Sequence, residues 1–217
     1  MSVELVIFDC DGVLVDSEGI SNEVLAAALG DAGLPTTAGE ALAEYRGLLL
    51  ADVVARAEAR LGSRLPPDFV ETFERDRARE FELRLRPVAG AADAVGAIRA
   101  EGVSVCVASQ GRPEKTELTL RLTGLRGLFA ARAVFSAYEV PRGKPHPDLF
   151  LHTAAAMGAA PEACVVVEDT TLGVVAARAA GMRAVGYVPD GDGAELRACG
   201  AVLVRSMSEL PAAVRSS

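Results

Sequence analysis

Basic charge is scarce in this chain. Among its 217 residues, 22 are lysine or arginine against 30 aspartate or glutamate, a net charge of -8. Nucleic acids and anionic membranes are polyanions that need a basic footprint, so neither is an expected partner. An anionic small molecule would need local compensation, by a metal cation or by a few placed basic groups. Histidine and cysteine are also few. His146 and His152 lie six residues apart, do not share a helical face and are read as surface or loop residues. Cys10, Cys106, Cys164 and Cys199 are scattered, with no Cys-x-x-Cys pair or Cys/His cluster, which argues against zinc and disulfides and for reduced thiols, three of them buried. No basic leader precedes the first apolar run, which acids cut after Phe8, so neither a signal peptide nor a membrane anchor is expected and the expected location is cytoplasmic. Nothing in the sequence points to an obligate protein partner.

What the chain does have is apolar residues, 50% of the total. They fall in short runs: Val3-Phe8, Val103-Ala108, Ala133-Phe135, Cys164-Val167, Ala184-Tyr187 and Ala201-Val204. Runs of this length suit buried parallel strands. Helix-like stretches lie between them, near residues 91–100, 113–123, 147–157, 171–180 and 207–215, and Gly102, Gly158 and Gly181 stand where helices should stop. This alternation predicts an α/β fold, a doubly wound parallel sheet. One stretch breaks it. Residues 16–86 contain no convincing strand, only helical candidates near 19–32, 50–61 and 67–85, the last with Phe69, Val70, Phe73 and Arg77 or Phe81 on one face. The predicted organisation is a core of residues 1–15 and 87–217 with a helical cap domain of residues 16–86 inserted after the first strand.

Open parallel sheets bind ligands beyond the carboxyl ends of their strands. Those ends are polar here. Asp9 and Asp11 follow the first strand, Ser109 and Gln110 the second, a loop with Lys144 the third, and Glu168 and Asp169 the fourth. Two carboxylates at i and i+2 of an extended chain point the same way, and their repulsion calls for a cation or a shared proton. Magnesium, which takes one or two carboxylates plus waters and a substrate phosphate, answers that need, and Glu168 and Asp169 could complete its site. The structural alternatives are that Asp9 and Asp11 cap a turn before Gly12 and that Asp169 or Thr170 caps the helix at 171–180. Gly12 and Gly173 are read as serving tight turns or close helix approach. Only Lys115 and Lys144 among the 22 basic residues are lysine. A sequence that otherwise writes arginine singles out Lys144, in its proline-held loop, as a point charge for phosphate or carboxylate. Lys115 is read as a surface residue in the first turn of a helix.

The set Asp9-x-Asp11-Gly12-Val13-Leu14-Val15-Asp16-Ser17-Glu18, Ser109, Gly143-Lys144-Pro145-x-Pro147-Asp148 and Glu168-Asp169-Thr170 resembles the four motifs of the haloacid dehalogenase-like hydrolases. It is similar in particular to the helical-cap subgroup that includes β-phosphoglucomutase and many sugar-phosphate phosphatases. The resemblance implies an aspartyl-phosphate on Asp9, with Asp11 as acid and then base, Ser109 binding phosphoryl oxygens and Lys144 offsetting charge. It implies Mg2+ held by Asp9, the Asp11 carbonyl and Asp169, with Glu168 as ligand or just behind. The partner would be a small phosphorylated metabolite, contacted by Asp9, Ser109, Gln110 and Lys144 and, from the cap, by Glu18, Arg46 and Gly47; Asn22 and Leu50 would also line the pocket. Arg46 carries the alternative of an ordinary exposed arginine. In β-phosphoglucomutase-like enzymes the cap has a Lys-Gly-x-x-Arg stretch and a nearby histidine. This chain has Arg46-Gly47-Leu48-Leu49-Leu50, and Ser21 in the histidine's place, so hydrolysis is favoured over phosphomutase chemistry.

Overall fold

The computed structural model describes residues 2–216. Six strands form one parallel sheet: β1 (Leu5–Phe8), β2 (Ser104–Ser109), β3 (Val134–Ser136), β4 (Cys164–Glu168), β5 (Arg183–Tyr187) and β6 (Val202–Val204). Their spatial order is β3-β2-β1-β4-β5-β6, with Phe8 of β1 level with Val107 and Val167 on its two sides. The chain runs outward from β1 to β3, then returns to lay β4 on the other side of β1. That reversal makes the β1/β4 crevice the topological switch point, where the backbone diverges and leaves room for a ligand. β1 consists of Leu5, Val6, Ile7 and Phe8, all fully buried, as a strand covered on both faces requires.

Among the described residues ten helices surround or extend the sheet: α1 (Glu18–Asp31), α2 (Ala38–Tyr45), α3 (Leu50–Leu61), α4 (Phe69–Arg84), α5 (Ala91–Ala100), α6 (Pro113–Leu122), α7 (Asp148–Met157), α8 (Thr171–Ala179), α9 (Ala194–Ala198) and α10 (Leu210–Ser216). The expected elements are present to within about two residues at most ends. α2 and α9 are additions. α2 has a readable start, a capping box in which Thr37 and Glu40 each accept from the other's backbone N–H. Gly158 caps α7 in the left-handed conformation at φ 72°, and Gly102 and Gly181, at φ 82° and 76°, follow α5 and α8. Cys10, Cys106 and Cys164 are buried, Cys199 is half-buried, and all four are free thiols. No helix among the described residues is long and apolar enough to cross a membrane.

Two apolar clusters form. The larger fills both faces of the sheet; the smaller, with Leu25, Leu29, Tyr45, Val53, Phe69 and Phe73, lies wholly within residues 16–86. Ile20, Phe81 and Leu85 from that same segment join the sheet cluster, so its two ends pack on the sheet while its middle has its own interior. The chain leaves and re-enters side by side. Asp16 N–H donates to Arg86 O at 3.0 Å, Val88 N–H donates to Leu14 O at 2.9 Å, and Val15 bridges Pro87 antiparallel.

Candidate active site

The strand ends deliver their carboxylates to the crevice, and the crevice separates them by partner. Asp9 continues β1, its N–H donating to Val167 O of β4 at 2.9 Å. Its Oδ1 accepts from Lys144 Nζ at 2.5 Å, and the same ammonium donates to Glu168 Oε1 at 2.6 Å. All three side chains are buried. Burial pushes the Asp9 carboxyl well above its ordinary range; Lys144 opposes this, while the charges of Glu168 and Asp11 add to it. Burial also works against the Lys144 charge, but Asp9 and Glu168 overcome it and hold the ammonium charged.

The lysine loop is clamped in place. Gln110 Oε1 accepts from Lys144 N–H at 3.1 Å, and its Nε2 donates to Lys144 O at 3.2 Å and to Gly47 O at 3.4 Å. A Cβ on Gly143 would fall 2.8 Å from Gln110 Oε1, so a larger residue here would make the Gln110 amide shift. Both ends of the Gln110 amide are therefore engaged by backbone. Ser109 is fully buried behind the wall made by Gln110 and Gly111, and its hydroxyl accepts from Gly111 N–H at 3.0 Å. That bond leaves the hydroxyl proton free to donate. Ser136 of β3 braces the turn by donating to Gly111 O at 2.7 Å.

Asp11 has a different surrounding. Its Oδ1 accepts from Ser17 Oγ at 2.5 Å and from Lys115 Nζ. Burial works to raise the Asp11 carboxyl, but the Lys115 charge and the bonds from Lys115 and Ser17 outweigh it and hold the group below its ordinary range. The reading of Lys115 as a surface residue is thus corrected: its side chain is only 11% exposed and reaches back from the first turn of α6 to Asp11. The scarcity of lysine applied to both lysines. The turn before Val15 is held by backbone instead, Gly12 N–H to Val15 O and Val15 N–H to Cys10 O, so Asp9 and Asp11 do not serve as its caps.

Glu168 ends β4 with every oxygen engaged. Besides Lys144, it accepts from Asp169 N–H, Thr170 N–H and Thr170 Oγ1 at 2.9, 2.9 and 2.8 Å. Thr170 is the N-cap of α8, accepting from Gly173 N–H at 3.1 Å. α8 approaches so closely that a Cβ on Gly173 would overlap the Glu168 carboxylate. Asp169 is 5% exposed. Its Oδ2 accepts from Arg46 Nη2 at 2.6 Å, and its Oδ1 is buried with no hydrogen-bond partner. Burial raises the Asp169 carboxyl well above its ordinary range, and the charges of Glu168, Glu18 and Asp9 raise it further. Gly12, at φ 75°, lets the first turn pass against that carboxylate, which a Cβ would overlap.

No three Cys, His, Asp or Glu side chains among the described residues converge as a ready-made cation cage. Magnesium does not require one, since it takes one or two carboxylates and keeps several waters. The orphaned Asp169 Oδ1 and the buried acids Asp9 and Asp169, both raised by burial, are the kind of donor set that a hard divalent cation relieves. The residues present fit the metal. Glu168, with both oxygens engaged by protein donors, fits a place behind it.

Over the crevice lies a cavity of about 170 Å³. The sheet side supplies Asp9, Asp11, Gln110, Lys144 and Glu168; the helical side supplies Glu18, Asn22, Arg46, Gly47, Leu50 and Arg77. Arg46 ties the sides together by donating to both Asp169 and Glu18, the latter at 2.8 Å. It is 42% exposed, yet no ordinary surface arginine. His146 and His152 are exposed and lie outside the cavity lining. Sequence reasoning missed Lys115, the bond from Ser17, and Arg77 as a cavity residue.

The model of the haloacid dehalogenase-like hydrolases matches residues 3–181. The 6-phosphogluconate phosphatase of Escherichia coli is 30% identical over 87% of this chain and 84% of its own length. Hexitol phosphatase B of the same organism is 34% identical over 82% and 81%. Among solved structures, a Thermotoga maritima protein named provisionally as a β-phosphoglucomutase has a TM-score of 0.78 at 25% identity, covering 99% of each chain. The named phosphatases agree with the enzyme class expected from the sequence, phosphoric monoester hydrolase. The chain belongs to the haloacid dehalogenase-like hydrolases.

Proposed function

We propose that the chain is a magnesium-dependent phosphatase that hydrolyses the phosphate monoester of a small carbohydrate through an aspartyl-phosphate on Asp9. The observation that carries this reading is the separation of two neighbouring acids: Asp9 faces the buried Lys144, and Asp11 faces Ser17 and Lys115. One reaction that uses two such acids is stepwise phosphoryl transfer. An Asp9 oxygen attacks phosphorus as the ester P–O bond breaks; Asp11, whose bond to Lys115 favours the ionised form, has to part from Lys115 and take up a proton before it delivers that proton to the departing alkoxide. Asp11 then takes a proton from water, whose oxygen attacks phosphorus and releases Asp9 and inorganic phosphate. Lys144 and the Ser109 hydroxyl stabilise charge on the phosphoryl oxygens, and Gln110 keeps the lysine loop in position. Asp9, the Asp11 carbonyl and Asp169 would hold Mg2+, with Glu168 behind them. When bound, the ion neutralises charge on the transferring group.

Residues 16–86 act as the cap domain that closes the cavity and selects the substrate, hinged where residues 14–16 and 86–88 run side by side. The four unpaired cysteines suit a cytoplasmic setting. A second reading, phosphomutase, draws support from the β-phosphoglucomutase-like neighbour and from Arg46-Gly47 on the cavity wall. A bisphosphate intermediate needs cations at both ends, and Leu50 and Ser21 line the cavity where that subgroup has arginine and histidine. Hydrolysis is the better fit. The test is phosphate release from a panel of sugar, polyol and sugar-acid phosphates, with magnesium or chelator and with Asp9→Asn as the blank. Release that needs both magnesium and Asp9 is the expected result. Isomerisation of a sugar 1-phosphate without release would favour the mutase.

A further inference from the structure

Beyond Asp11, α4 and α6 enclose a side chamber of about 390 Å³ that shares Glu74, Arg77, Arg112 and Lys115 with the catalytic cavity. Three cations on this wall face two interior acids, with Glu114 exposed at the rim, and two of the cations have an acid close by. Lys115 is held by Asp11. Arg112 places Nε 2.9 Å from Glu74 Oε1 and lies over the Tyr138 ring. Arg77 is left over. Its side chain is 15% exposed, its nearest acid is Glu74 at 4.0 Å, and its guanidinium makes no hydrogen bond among the described residues. It rests on aromatic faces, 4.7 Å from the Phe73 centroid and 6.0 Å from that of Phe81. Burial makes its charge costly, as the lowered pKa of the group registers. A mostly buried guanidinium with unused donors on a cavity wall is a receptor for a planar anion.

We propose that Arg77 binds a carboxylate of the substrate, so that this enzyme selects phosphorylated sugar acids over the polyol phosphates that match them in every other atom. The transferring phosphoryl group is assigned above to Asp9 and Lys144, neither of which lines the side chamber. The anion at Arg77 is therefore a second group on the same molecule. A carboxylate brings one negative charge to a cation that has acids near it but no hydrogen-bonded partner; a second phosphate would bring close to two and leave an excess among Asp11, Glu74 and Glu18. The aromatic floor holds the guanidinium plane still, which favours a two-point bond to a flat acceptor.

This inference rests on the phosphatase reading, and a matched pair of substrates separates the two. Phosphate release is measured from 6-phosphogluconate and from glucitol 6-phosphate, which differ only in carboxylate against hydroxymethyl at one end. The wild-type enzyme is expected to show the higher kcat/KM for the acid. In Arg77→Gln the acid-to-polyol ratio of kcat/KM should fall roughly 10- to 100-fold, carried by KM for the acid, the scale of one charged hydrogen-bonded pair. Arg77→Lys keeps the charge and loses the fork, and should give a smaller fall in the same ratio. A ratio unchanged in both variants, or a wild-type preference for the polyol, overturns the role of Arg77 while leaving the phosphatase intact. No release from either substrate or from the wider panel overturns the phosphatase reading itself. A purely structural Arg77 would lower both substrates together and leave the ratio where it was.

Discussion

The two walls of the cavity are built on different terms. On the sheet side most buried polar groups are engaged, Asp169 Oδ1 excepted: Glu168 accepts from Lys144 and from three donors of residues 169–170, Lys144 serves two carboxylates, and Gln110 uses both ends of its amide. On the helical side, Arg46 is 42% exposed, Arg77 has no hydrogen bond among the described residues, and Leu50 and Val53 offer only apolar surface. A strand end can hold a charge to a few tenths of an ångström because its neighbours are fixed by the sheet. A small helical insertion cannot do so as well, but it can vary. In the proposed function chemistry sits on the first wall and selection on the second, and the contrast is testable because substitutions on the two walls should fail differently.

The largest effect should come from Asp9→Asn. Removal of the proposed nucleophile is expected to lower the rate of phosphate release roughly 10⁴-fold or more. Stability should be unchanged or higher, since Glu168 still neutralises Lys144 and one buried acid has gone. A thermal melt alongside the assay checks both. Retained turnover in that variant would end the assigned mechanism.

Lys144→Met should damage catalysis and fold together. It leaves Asp9 Oδ1 and Glu168 Oε1 facing each other in a dry site, a loss of about 3–5 kcal/mol by analogy with other broken buried ion pairs. Denaturant unfolding measures it. A loss below about 1 kcal/mol would mean that water reaches this site, and the claim of a dry, paired cluster at Lys144 would fail. Gly173→Ala comes next. The added methyl must displace the Glu168 carboxylate or push α8 away, so about 1–3 kcal/mol of stability should go, with activity following as Lys144 loses its seat.

The same contrast explains what the sequence could reveal. β1 and β4 were readable because a strand buried on both faces is an unbroken apolar run, and the edge strands β3 and β6 because their short runs are apolar even where exposed; the acids at the ends of β1 and β4 are local neighbours in sequence. α2 escaped because eight residues carry too little periodicity, although its Thr37–Glu40 capping box was in plain view. The partners of the acids were not local. Asp9 meets Lys144 from 135 positions away and Asp11 meets Lys115 from 104, and nothing in the spacing of Asp9 and Asp11 says which lysine goes to which. Arg77 was legible only as a position on a helical face shared with Phe73 and Phe81. That it lies over both rings with its donors unused depends on how α4 meets α6 and the sheet edge.

The smallest effect, and the one that probes the seam between the walls, is Arg46→Gln. Arg46 joins Glu18 of α1 to Asp169 beyond β4, so it links the helical wall to the proposed metal side. Its exposure means that solvent screens much of the attraction, and stability should drop by at most about 1 kcal/mol. Its position should matter more than its strength. With Asp169 Oδ2 released, the helical wall loses a hold on the sheet edge, and KM for the substrate should rise roughly 3- to 10-fold while kcat changes less, the scale of one ordinary hydrogen bond. Michaelis curves at fixed, saturating magnesium give the split. A fall in kcat with KM unmoved would place Arg46 among the groups that act on the transition state, and the division of labour between the two walls would have to be redrawn at that residue.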